Sequence, residues 1–95
     1  MLDPAACRPR RKAHVVSRPL GTETVLYDPE TRKVHVLNPT SQVIWELCTG
    51  DASLGAIEQE LRQRFSAGAD VDVRADVEEC LLRLRGEGLL LLEDR

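Results

Sequence analysis

A chain of 95 residues forms one small domain that buries somewhat over half of its unfolded surface. It is 42% hydrophobic but only 3% aromatic, so its core has to be built from Leu, Val and Ile. The net charge of −3 argues against a polyanion binder, no apolar run reaches the roughly 18 residues of a membrane span, and the start of the chain lacks the apolar stretch of a signal peptide. A cytoplasmic protein is expected. Cys7, Cys48 and Cys80 are far apart, without a CxxC and beside only two histidines. That spacing excludes a disulfide framework or a zinc site and suggests small buried hydrophobes.

Residues 1–13 carry Arg8, Arg10, Arg11 and Lys12 among Pro and Ala without periodicity. They are predicted to be a disordered basic tail, leaving residues 14–95 as the folded domain. Residues 14–18 (HVVSR), 22–27 (TETVLY) and 33–37 (KVHVL) are short and β-branched. Separated by Pro19-Leu20-Gly21 and Asp28-Pro29-Glu30-Thr31, they predict three strands in an antiparallel meander. In the second connection Asp28 is placed to bond the turn's own backbone, and Pro29 supplies the φ of a type I turn.

Asn38-Pro39 ends the third strand and opens a helix. The Asn side chain can accept from first-turn amides, and Pro at the first helical position forfeits no bond. Val43, Ile44, Leu47 and Cys48 recur at helical spacing with Trp45 beside them, up to a stop at Gly50. A second helix is expected over 53–65, capped by Ser53, with Leu54, Ile57, Leu61 and Phe65 on its apolar stripe. Ser66-Ala67-Gly68 should end it. Asp70-Val71-Asp72 leads to a third helix, with Asp72 the better cap and Val73, Val77, Leu81 and Leu84 as its stripe. Gly86 and Gly88 terminate that helix, and residues 89–92 add a short extended segment. The fold class is therefore α+β: a three-stranded antiparallel sheet followed by three helices, winged-helix-like.

No catalytic motif is present: no phosphate-binding Gly-rich loop before a helix, no HExxH, no nucleophile elbow. His14 and His35 fall on predicted strands. Asp76, Glu78 and Glu79 resemble a carboxylate cluster, but a solvated helix face accounts for them without convergent geometry. No enzyme, metal site or cofactor is expected. A winged helix reading DNA is an alternative, yet the third helix sets Asp76, Glu78, Glu79 and Glu87 against Arg74, Arg83 and Arg85 in an acidic domain. A subunit that only docks an enzyme is a further alternative.

The run from Tyr27 to Gly50 (YD…HVLNPT…VIWELCTG), the IEQEL helix and the later DVEECLLRLRGEGLL together resemble the PqqD family. The resemblance covers roughly residues 17–92, nearly the whole chain apart from the basic tail. It departs from the form serving pyrroloquinoline quinone synthesis in its Pro-turn hairpin and its Cys-containing first helix. It implies a peptide chaperone, or recognition element, of ribosomally made and modified peptides. Such a protein binds the leader of a precursor peptide by strand addition and presents it to a radical SAM enzyme, cyclase or leader peptidase. Carried over by position, the leader would pair along Lys33, Val34, His35, Val36 and Leu37. It would lie in a cleft against the third helix, walled by Asp76, Cys80, Arg83 and Leu84, with Val77 and Leu81 in the core. Asp76 and Glu79 beside Arg83 would give that cleft charges of both signs.

Overall fold

The computed structural model describes residues 2–65 and 72–94. In chain order its elements are β1 (Cys7–Arg11), β2 (Val16–Leu20), β3 (Glu23–Asp28), β4 (Lys33–Leu37), α1 (Pro39–Leu47), α2 (Leu54–Phe65), α3 (Val73–Gly86) and β5 (Leu90–Asp94). The α+β architecture holds. β2, β3 and β4 form the antiparallel meander in that order, with Leu26 opposite His35 and Tyr27 opposite Val34. The expected end of the second helix at Ser66-Ala67-Gly68 and the lead-in at Asp70 and Val71 lie outside the described residues.

Local chemistry accounts for the element starts. The Asn38 side chain accepts the Ser41 amide at 2.8 Å, Ser53 accepts from Ala56 at 3.2 Å, and Asp72 from Ala75 at 3.0 Å, so all three caps are made as expected. At the β3–β4 hairpin Asp28 accepts the Glu30 amide at 2.9 Å and is buried. Burial alone would raise its carboxyl. The Glu30 amide, the charge of His14 and the Thr31 amide outweigh that and hold it below its ordinary value. His14 Nε2 stands 3.1 Å from the Asp28 carboxylate, out of hydrogen-bond alignment.

Three expectations fail toward the N-terminus. Residues 1–13 are not a structureless tail, because Cys7–Arg11 is a strand paired antiparallel with β5, Pro9 opposite Leu92. His14 lies before β2 rather than on a strand, and Pro19 and Leu20 belong to β2 rather than to the turn, which is left to Gly21 and Thr22. β1 is anchored on its other side as well. Arg11 N donates to Cys48 O and Gly50 N donates to Pro9 O, both at 2.9 Å. Cys7 and Pro9 alternate inward while the arginines find outer partners: Arg10 pairs with Glu93 and Arg8 bonds the Asp51 carbonyl. Gly50 has φ +90°, and a Cβ there would stand 2.9 Å from the Arg10 guanidinium, so glycine fits the crossing on both counts.

The core lies between the meander and the helices: Leu26 and Leu37 from the sheet, Ile44 and Trp45 from α1, Leu54, Ile57 and Leu61 from α2, and Val77, Leu81 and Leu84 from α3. α1 is rotated slightly from its sequence pattern, with Ile44 and Trp45 buried and Val43 and Leu47 at the margin. It also stops at Leu47, three residues before Gly50, because Cys48 caps it back to Trp45 O and the chain then turns to meet β1. Phe65, expected on the apolar stripe, is 45% exposed at the end of α2. The outer face of the meander stays apolar and uncovered, with Val16, Leu20, Tyr27, Val34 and Val36 all exposed.

Candidate functional site: the open edge of β4 and the wall of α3

β4 pairs with β3 on one side only, so it is an edge of its sheet. Its residues alternate in environment. Val34 and Val36 face out, whereas His35 is half-buried and Leu37 is 2% exposed against the core. An edge strand carries unpaired N–H and C=O groups, which an incoming extended segment can pair with.

α3 faces this edge at its C-terminal end. A hollow of about 500 Å³ separates them, bounded by His35, Val36 and Leu37 on one side and by Arg83, Leu84 and Glu87 on the other. A second hollow of about 260 Å³ continues it between the first turn of α1 and the middle of α3, bounded by Thr40 and Ile44 and by Asp76, Glu79 and Cys80. Asn38, Ser41 and Arg83 border both hollows, so the two form one groove that leaves the strand edge and runs along the helix.

Of the residues expected here, His35, Val36, Leu37, Arg83 and Leu84 meet in the first hollow, and Asp76, Cys80 and Arg83 in the second. Lys33 and Val34 line neither. Lys33 is exposed at the hairpin end of β4, opposite Asp28, and Val34 faces outward. Val77 and Leu81 are fully buried in the core, as expected. The helix residues also differ in depth. Cys80 and Leu84 are nearly closed off, at 6% and 2% exposure, and form the floor, while Asp76 and Arg83 stand on the rim.

Ser41 was missed. It is 6% exposed, and its hydroxyl lies 3.8 Å from Cys80 Sγ and 3.4 Å from an Arg83 nitrogen. A serine in the first turn of a helix reads as an ordinary capping neighbour, and only the packing of α1 on α3 carries it into the groove. Asn38 was legible as a cap, and its second place at the groove follows from where that cap sits.

Burial raises the Cys80 thiol, and its hydrogen bond with Ser41 and the charge and hydrogen bond of Arg83 offset that only in part. A thiol kept protonated in this way packs as a small apolar group. The His35 Nε2 is shielded from solvent and finds no hydrogen-bond partner. Among the described residues no cluster of three or more His, Cys, Asp or Glu side chains is placed to hold a metal ion, and no helix is long and apolar enough to cross a membrane. What the arrangement supplies is backbone pairing along an edge, an apolar floor and charged rims.

These features define a class of protein: a small winged-helix-like α+β module with an open strand edge set against its third helix. The profile of the family described as coenzyme PQQ synthesis protein D (PqqD) matches residues 23–90, from the start of β3 to the start of β5, and the chain belongs to that family. Two solved structures share the fold. "TbiB1 in complex with the TbiA(beta) leader peptide" is similar at a TM-score of 0.75 and 23% identity, over 85% of this chain and 93% of that one. "Lasso peptide synthetase B1 complexed with the leader peptide" is similar at a TM-score of 0.76 and 19% identity, over 88% and 98%. No curated protein matches the chain.

Proposed function

We propose that this chain binds the leader segment of a ribosomally made precursor peptide and presents it to a modifying enzyme, such as a radical SAM enzyme, a cyclase or a leader peptidase. It acts in the cytoplasm by binding, without catalysis or cofactor. The leader adds as a strand to the edge of β4, antiparallel to it, and lies in the groove against α3. The observation that carries this reading is the open edge of β4 beside a hollow whose far wall is Arg83, Leu84 and Glu87. Membership of the PqqD family supports it, as does a shared fold with two proteins whose structures hold leader peptides.

In this reading the backbone from Lys33 to Leu37 provides pairing that is tolerant of sequence. Leu37, Cys80 and Leu84 receive an apolar anchor, and Asp76 and Arg83 set polar contacts at the rim. Backbone bonds and a buried anchor contribute most of the affinity, and rim charges mainly tune specificity. Titrating the isotope-labelled protein with the leader of a neighbouring precursor gene should shift the Val34, His35 and Val36 amides most strongly. Shifts confined to α1 and α2 would overturn strand addition. In a reaction with the modifying enzyme, adding this chain should accelerate modification of the full precursor and leave a leaderless core peptide unaffected.

A further inference from the structure

Arg83 stands unpaired in the groove. Glu79 lies four residues before it, the spacing and order at which a helix most readily closes an ion pair. α2 closes two such pairs, Arg62 with Glu58 and Arg64 with Glu60, each at 3.2 Å. Among the ion pairs of the described residues Arg83 appears in none. Its side chain turns across the groove to the Cys80 thiol and to Ser41, reaching the hydroxyl at only 3.4 Å, near the outer limit of a hydrogen bond. A guanidinium has five N–H donors. Most of those on Arg83 are therefore open where the two hollows join.

Glu79 and Glu87 lie four residues to either side, one bordering each hollow. A helix advances about 6 Å in four residues, and an extended strand advances about 6.8 Å between successive residues on one face. Glu79, Arg83 and Glu87, the last of them the cap of α3, thus make a row of negative, positive and negative charge. Every second residue of an extended peptide keeps step with that row.

We propose that the groove selects its peptide through this row, favouring a segment with basic, acidic and basic side chains at alternate positions and seating the acidic one on Arg83. This rests on the strand-addition reading and deepens it from peptide binding to a charge pattern. A carboxylate takes up the guanidinium fork through two bonds, for which the contacts to Ser41 and to the Cys80 thiol leave donors of the five free. The basic residue on the α1 side faces Glu79, with Asp76 adding a second carboxylate in the same hollow. The other faces Glu87. The pattern also fixes register, because a slip of two residues sets like charges against each other along the row.

The test uses synthetic strand peptides that are identical except at three alternate positions: Lys-x-Glu-x-Lys, the inverse Glu-x-Lys-x-Glu, a neutral Gln-x-Gln-x-Gln and an all-basic Lys-x-Lys-x-Lys. Affinity for the full chain is read by fluorescence anisotropy at low and high salt, and the β4 amides are followed by NMR. The Lys-x-Glu-x-Lys peptide should bind about tenfold more tightly than the neutral one at low salt, the inverse more weakly than both, and the differences should shrink at high salt. In Arg83→Glu the preference should move to Lys-x-Lys-x-Lys, while thermal unfolding of this rim variant stays near wild type. Equal affinities with β4 amides still shifting would overturn the charge row and leave strand addition standing. If no peptide shifts the β4 amides, strand addition falls and the row falls with it.

Discussion

Trp45 is the largest side chain in a core with little aromatic material, and it is 3% exposed. Its backbone carbonyl accepts from Arg11 at 3.0 Å, and the same guanidinium lies 6.0 Å from the centre of its ring. Trp45→Ala should therefore cost on the order of 3–5 kcal/mol, the range for truncating a buried aromatic. Denaturant unfolding measures it, and a variant that unfolds like wild type yet loses peptide binding would move Trp45 from the core to the site. Leu47, half-buried at the edge of the same helix, should cost much less. Cys48 makes a different kind of test. Burial is the main reason its thiol is raised from 9.0 to about 12, with the neighbouring thiol of Cys80 adding to it. The raised value belongs to the folded state, so below about pH 9 both states hold the proton and stability is complete. As pH rises further, the unfolded chain gives up its proton while the folded one keeps it. Stability then declines by up to about 1.4 kcal/mol per pH unit until the folded thiol titrates near the top of that window. Unfolding curves at about pH 8 and about pH 10 should show this decline, and Cys48→Ala should make it shallower, the raised Cys80 thiol contributing to what remains. An unchanged slope in that variant would mean another group is responsible.

At the scale of elements, β1 differs most from expectation, because its job depends on partners remote in sequence. It covers β5 on one side and ties down the 48–50 segment on the other. Arg11 also donates to the Trp45 and Glu46 carbonyls at the C-terminal end of α1, where a positive charge suits the helix dipole. Removing residues 2–11 should thus destabilise the domain by several kcal/mol, through exposure of Leu89, Leu90 and Cys48 and loss of those bonds. A disordered tail would be removable without effect, and equal midpoints in urea for the truncated and full chains would restore that view. Arg11→Ala alone should account for about 2 kcal/mol of the loss.

For the molecule as a whole, the two faces of the meander have different tasks. The inner face, with Leu26 and Leu37, packs on the helices and holds β4 in place, so the core sets the separation between the edge and the α3 wall. A groove whose walls are set by the core would lower the entropy lost in the binding proposed above. The outer face leaves five large apolar side chains in solvent, a patch on the order of a few hundred Å², at the upper end of what a monomer commonly exposes. The net charge of −3 lies mostly away from the basic strand β1. A charge row such as the one proposed along α3 would therefore act locally and not through a global field.

Much of this was legible in the sequence because it is encoded locally. The caps at Asn38, Ser53 and Asp72, the Asp28 turn and the alternation of Lys33–Leu37 depend on neighbours a few residues away, and the helical stripes through Ile57, Leu61, Val77 and Leu81 follow from period alone. β1 escaped because Cys-Arg-Pro-Arg-Arg has no β-branched residue and contains a proline, and the partner that makes it a strand is β5, some eighty residues on. The groove follows the same division. The edge strand and the helix could each be named from sequence, whereas Ser41 and Glu87, and the side chain of Arg83 drawn away from Glu79 toward Ser41, depend on how α1 and α3 pack across the end of β4. Local hydrogen bonding and hydrophobic period are written along the chain, but which side chains face one another across a groove is decided only when separate elements pack around one core.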